Sequence, residues 1–292
     1  MKEYDLIFSL GASCAVSMSL RDAGLQFSSW PFDWVGSPGL PQTVDMIERD
    51  FAHWFDREDL KLWDVRHEEG AVQRVYRNMR TDFGFPHEFT NATPIERAYA
   101  KTRAKYDRRI ERFTAELDGG KRVLGIYYEI ATRLRQPDAV LAESRRRIAA
   151  KFPKIAFDLL YVYEDPSARR PEIVSDTDGV TVVRAHYGKF LGGVPMHTVD
   201  RAQLTGFIHE NYTVAGHDIA AEKVAYEAAQ KKRRQSHWGA GVCERWINRK
   251  LFKAYRRLQD YLVGQRLLPG DRPCWFEESD RGWPHGPIPK GS

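Results

Sequence analysis

Four apolar runs, Tyr4–Leu10, Arg122–Tyr128, Ala156–Tyr163 and Val180–Ala185, are continuous rather than alternating, and helical patterns lie between them. A strand that is apolar at nearly every position belongs to a sheet covered on both faces. Strands separated by helices pair in parallel through right-handed crossovers. The pattern predicts an α/β fold with a three-layer, parallel-sheet core. The clearest helix opens at Thr93-Pro94-Ile95-Glu96, a capping box with proline at the first helical position. Apolar or weakly polar residues recur at Ile95, Tyr99, Thr102, Tyr106, Ile110, Phe113 and Leu117, and Gly119-Gly120 ends the helix. A second helix is expected from about Pro137 to Phe152, stopped by Pro153.

The first crossover is irregular. A long stretch, about residues 25–92, separates the first helix from the Thr93 helix and exceeds an ordinary connection. It is rich in rings: Trp30, Phe32, Trp34, Phe51, Trp54, Phe55, Trp63, Phe83, Phe85 and Phe89. Such an insertion builds either a site or lid, or a satellite core. With it, residues 1–200 form the expected catalytic domain. Residues 201–265 are expected as a basic helical extension packed on that domain, and 266–292 as a loosely ordered tail rich in proline and glycine. The extension carries Lys231-Lys232-Arg233-Arg234 and an apolar stripe, Val242, Trp246, Leu251, Tyr255, Leu258 and Leu262. Its charges are expected as a solvated face, with weak association with an anionic membrane as the second reading.

Within the first run, chemistry concentrates on one residue. The strand ends at Gly11, Ser13 reads as an N-cap, and Val16, Leu20 and Ala23 follow at helical spacing until Gly24. Cys14 therefore falls at the first helical position. There, unpaired backbone N–H groups and the helix dipole favour a thiolate. The same N–H groups suit an oxyanion. The competing reading is a small buried hydrophobe. A cysteine nucleophile needs a base, usually histidine, and often a third group to orient it. Among nine histidines, two stand out. His87 sits between aromatics in Gly84-Phe85-Pro86-His87-Glu88-Phe89, and His186 follows the fourth strand at the sheet edge from which Cys14 emerges. Asp33, within Trp30-Pro31-Phe32-Asp33-Trp34, must have a partner, because a carboxylate among rings is costly alone. It either orients the histidine or caps the turn. Ser13, Trp30 and Trp34 are the expected substrate contacts.

Composition excludes several other classes. The 292 residues carry a net charge of +5 and only three cysteines, Cys14, Cys243 and Cys274. Cysteines so far apart make neither a disulfide framework nor a zinc pair, and a cytoplasmic setting is expected. There is no apolar stretch of membrane-spanning length. No GxGxxG follows a strand, and neither a P-loop nor HExxH occurs, so no cofactor and no metal are expected. No nucleic-acid-binding module is recognisable, and nucleic acid is not an expected partner.

Several motifs together carry a resemblance. They are Phe8-Ser9-Leu10-Gly11 before Cys14, Leu20-Arg21, Ser29-Trp30-Pro31-Phe32-Asp33-Trp34, Pro86-His87-Glu88-Phe89, and the Tyr106–Phe113 stretch Tyr-Asp-Arg-Arg-Ile-Glu-Arg-Phe. In this order, over residues 4 to 165, the chain resembles a bacterial family of unknown function described as papain-like cysteine peptidases. The resemblance implies Cys14 as nucleophile, His87 as base and Asp33 as a possible orienting group. At Glu88 the family pattern has Asp. Papain-like enzymes place the cysteine on a helix and the histidine on an antiparallel, barrel-like sheet. The strand pattern read here is parallel, Rossmann-like or SGNH-like, and looks more like SGNH-type hydrolases and related acyltransferases, where a serine follows strand one. Members of the family often lie beside genes for surface polysaccharides, which implies an acylated glycan as an alternative to a peptide substrate. A non-catalytic module binding a sugar or nucleotide-like ligand is the remaining reading.

Overall fold

The computed structural model describes residues 1–216 apart from 27, 69–70, 91–94, 130–132, 166 and 186–200, together with 221, 224 and 228. The chain opens with β1 (Lys2–Tyr4), β2 (Leu6–Gly11) and α1 (Ala15–Asp22), followed by α2 (Leu40–Glu48). A three-strand segment comes next: β3 (Leu60–Glu68), β4 (Ala71–Asn78) and β5 (Gly84–Thr90). Then α3 (Ile95–Leu117), β6 (Arg122–Tyr128), α4 (Asp138–Lys151) and β7 (Ala156–Glu164) alternate. The described chain closes with β8 (Glu172–Thr177), β9 (Val180–Ala185), α5 (Arg201–Asn211) and β10 (Tyr212–Val214).

The main sheet has five strands in the order β2-β6-β7-β9-β8. The first four pair in parallel and β8 returns antiparallel on β9, so the α/β class holds and the sheet is mixed. The apolar runs became strands because both faces are buried. Phe8, Leu10, Val123, Tyr127, Phe157 and Tyr161 point into one core, and Ile7, Leu124, Ile126, Leu160 and Val162 into the other. Helices α2 and α4 contribute to the first core; α1 and α5 pack together over the second. At Gly125 a side chain would not fit, since a Cβ would lie 2.8 Å from both Leu10 and Phe157.

Several elements were not foreseen, and the expected strand Tyr4–Leu10 is divided at Asp5 between β1 and β2. Strand β8 (EIVSDT) is exposed and polar, so it lacks the apolar signature of the others. Its turn, Asp178-Gly179, has positive φ at both residues (51° and 74°), the geometry of a type I′ hairpin, and was the available signal. Helix α2 is short and follows Gly39 directly, with proline in its first turn. The 25–92 stretch holds a three-stranded antiparallel sheet, order β3-β4-β5. Its rings do not form a separate satellite. Phe32, Phe51, Trp54, Phe55, Phe83, Phe85 and Phe89 join Tyr106 and Phe113 of α3 in the first core.

The expected extension begins with α5 and then β10, which pairs in parallel with β1. The basic cluster 231–234, the 242–262 stripe and the tail lie outside the described residues. No described helix is long and apolar enough to cross a membrane.

Candidate active site

Cys14 stands where β2 hands over to α1. The turn is fixed from several sides. Gly11 adopts φ +103°, a conformation that favours glycine, and a Cβ there would meet the Ser37 Cβ at 3.1 Å. Ala12 donates its N–H to the Tyr128 carbonyl (3.1 Å) and accepts one from Ser37 (3.3 Å). The Ser13 hydroxyl accepts the Ala15 N–H at 3.3 Å, but the N-cap position expected at Ser13 falls one residue later, on Cys14, because the helix begins at Ala15. Cys14 already has helical angles (φ −66°, ψ −9°), and its carbonyl accepts the Met18 N–H at 2.9 Å. It is partly exposed, not a core cysteine. Cys14, Ser17 and Arg21 share one face of α1, at spacings of three and four residues.

That face looks onto Trp30–Trp34. Asp33 is fully buried, and its carboxylate accepts from Ser17 Oγ (2.9 Å), Gln26 Nε2 (2.7 Å) and the Trp30 N–H (2.8 Å), with Arg21 at 3.5 Å. Burial nevertheless pushes its pKa up to about 6, against the pull of these donors and of Arg21 and Arg109. Ser17 and Arg21 belong to α1, and Gln26 and Trp30 to the segment that follows it, so the carboxylate ties its own turn together and to the helix, the turn-capping reading of this residue.

The raised pKa makes a stability prediction. A carboxyl that holds its proton more tightly when folded favours folding below its unfolded pKa of 3.8, and that contribution is lost as pH rises through about 6. The difference is worth roughly 3 kcal/mol at 1.36 kcal/mol per unit. Asp33→Asn removes the titration. The gap in unfolding free energy between wild type and variant is expected to change between pH 4 and pH 6 and to be flat from pH 6.5 to 8, as read by urea unfolding. A constant gap from pH 4 to 8 would refute the shift.

His87 stands on β5, exposed. Between Arg74↔Phe89 and Tyr76↔Phe85 the ladder slips, so Pro86, His87 and Glu88 bulge out opposite Val75. Bulges re-aim side chains, and Pro86 has no N–H to lose. Glu88, almost buried, pairs with Lys105 and accepts from Tyr106 Oη at 2.8 Å. The acid next to the histidine thus grips α3 and holds the bulge from behind. Sequence reasoning did not assign Glu88 this strut role, although the Lys105-Tyr106 pair in the recognised α3 motif was on view.

Two routes join the cysteine turn to the histidine strand. The backbone route runs from Ala12 to Ser37, and then from Gly36 to Gly84, which exchange N–H···O bonds of 2.8 Å both ways. An antiparallel bridge at 36↔84 sets residue 34 beside residue 86. The side-chain route follows from that register. The Trp34 ring meets the His87 ring edge-on at 6.1 Å between centroids, and Arg21 of α1 lies over the same indole at 5.3 Å. Trp34 is half-buried, whereas Trp30 is buried against Phe113 with the Arg112 guanidinium over it. His186 lies outside the described residues; its strand β9 is third from β2, about 14 Å away at ~4.8 Å per strand. The described His/Asp cluster with metal-ligand spacing, His53, Asp56 and Asp59, is already served by Arg80 and Arg103.

The class is therefore a mixed α/β protein with a cysteine at the head of a helix and a histidine on an adjoining antiparallel sheet. Over residues 5–166, more than half its length, the chain matches and belongs to the family described as "Putative papain-like cysteine peptidase (DUF1796)". Neither the search of curated proteins nor that of solved structures gave a match.

Proposed function

We propose that this protein is a cysteine hydrolase of the acyl-transfer type, with Cys14 as nucleophile and His87 as general base. The observation that carries this is the double linkage of the Cys14 turn to the His87 strand, through Ser37-Gly36-Gly84 and through Arg21-Trp34. Membership of a family described as papain-like cysteine peptidases supports a cysteine nucleophile. His87 takes the thiol proton, and the sulfur attacks the substrate carbonyl carbon. First-turn amides of α1 hold the resulting oxyanion. The C–N or C–O bond then breaks, and the leaving group takes the proton from imidazolium. Water, deprotonated by His87, releases the acyl group from the thioester. Asp33 serves as a positioning residue: it holds α1 and Trp34 in register and leaves His87 to be oriented by the Trp34 ring.

A peptide is the substrate class the family name favours. A specific observation favours an ester or an acylated glycan instead: Cys14 follows the first strand of a largely parallel sheet, as the serine does in SGNH-type hydrolases and related acyltransferases. A role in surface-polysaccharide assembly would follow from that reading.

The test is thiol reactivity. At pH 6, Cys14 is expected to alkylate with iodoacetamide at least ~10-fold faster than a free thiol of ordinary pKa. His87→Ala should remove that advantage while the fold is kept by circular dichroism. A Cys14 that reacts only after denaturation would refute the pair and leave a non-catalytic binding module.

A further inference from the structure

The walls of this site are cationic beyond what its own carboxylates need. Lys105, Arg109 and Arg112 recur at four and three residues along α3: Lys105 pairs with Glu88 of β5, Arg109 acts through its charge on Asp33, and Arg112 lies over Trp30. Arg21 faces the Trp30–Trp34 segment from α1. Against these four stand two carboxylates, Asp33 and Glu88, both buried and both already holding other donors. Burial and the positive charges of Arg109 and Lys101 lower the pKa of Lys105, against the pull of Glu88, so the surplus is felt inside the cluster.

Two donors here have nothing to bind. Arg109 Nη1 is enclosed, with its guanidinium over the Tyr106 ring at 5.4 Å, and has no hydrogen-bond partner among the described residues. Trp30 is 5% exposed, and its indole N–H is likewise without a partner. Arg112 links the two, being three residues from Arg109 on α3 and seated over the Trp30 ring at 5.3 Å. Buried N–H groups left unpaired are costly, and both of these are donors only. A ligand that supplies acceptors and negative charge satisfies both.

We infer that the substrate carries an oxyanion, a carboxylate or a phosphate, seated on Arg109 and the Trp30 N–H beside Arg112. This deepens the proposed function and rests on it for the word substrate. The anion site itself stands on the cluster. A neutral peptide or glycan segment could offer acceptors to the two donors but would leave the surplus charge unmet. A uronic acid, a phosphorylated sugar or an acidic side chain would not.

The experiment has two arms. In the first, inorganic phosphate and acetate are titrated onto the full chain at constant ionic strength with chloride as control, and melting temperature is followed. A saturable rise in wild type that is lost in Arg109→Gln is expected, with partial retention in Arg109→Lys. Phosphate and acetate compared directly identify the preferred oxyanion. No rise, or equal rises in all three proteins, overturns the inference.

The second arm compares alkylation of Cys14 by iodoacetate and by iodoacetamide. The anionic reagent is expected to gain in wild type and to lose at least ~5-fold relative to the neutral one in Arg109→Gln, as a nearby cation raises the local anion concentration. An unchanged ratio with a reactive Cys14 overturns the link to substrate and spares the catalytic pair. A Cys14 inert to both reagents overturns the catalytic pair, and with it the link to substrate, but leaves the first arm to decide the anion site.

Discussion

Cys14→Ala is expected to abolish turnover of an activated ester such as p-nitrophenyl acetate, by at least ~10³-fold, because the variant lacks the thiol proposed to carry the covalent acyl intermediate. Cys243 and Cys274 remain in that variant, so the loss isolates one thiol of three. The fold should survive, since Cys14 is partly exposed and the turn is held by backbone bonds of Ala12 and by Ser13. Wild-type enzyme quenched early in the reaction should carry the acetyl group on the peptide that contains Cys14, as seen by mass spectrometry. Turnover retained in Cys14→Ala would remove the nucleophile assignment.

The second large effect lies behind the site. Phe32 is fully buried, and its ring meets Phe51, Trp54, Phe83 and Phe113 at centroid distances of 5.3–6.2 Å. Phe32→Ala is expected to cost about 3–5 kcal/mol, the range for a large-to-small change in a packed core. Collapse into the gap is limited, because the neighbours are rings drawn from three separate stretches of chain. Phe32 also lies between Trp30 and Asp33, so thiol reactivity at pH 6 should fall with stability. Leu62→Ala, at a position 51% exposed, serves as control and should shift unfolding by less than ~0.5 kcal/mol. A Phe32→Ala protein as stable as that control would show that the ring cluster is not continuous with the core.

The parts of this fold that could be read from sequence were those where burial leaves a period. Arg122–Tyr128 and Val180–Ala185 are strands at the expected bounds, and α3 ends at Leu117, just before Gly119-Gly120. The antiparallel sheet was not legible. LKLWDVRHE and AVQRVYRN mix charge with apolar residues, as strands half open to solvent do. For the site, the helix-start position of Cys14 follows from Gly11 and Ser13 alone. The contact between Trp34 and His87 does not. It depends on the 36↔84 bridge, a register between two segments that no local pattern announces. That bridge also joins the parallel topology the strand pattern suggested to the antiparallel one the family resemblance implied: a cysteine after a parallel strand and a histidine on an antiparallel sheet coexist, because the second sheet is inserted in the crossover of the first.

One consequence concerns motion. The Gly36–Gly84 pair is the one isolated bridge joining these two segments among the described residues. Its two amides are shielded only while the inserted sheet stays seated on the cysteine turn. Their hydrogen exchange is therefore a gauge of how often thiol and imidazole part company, measured without a substrate and without touching either residue.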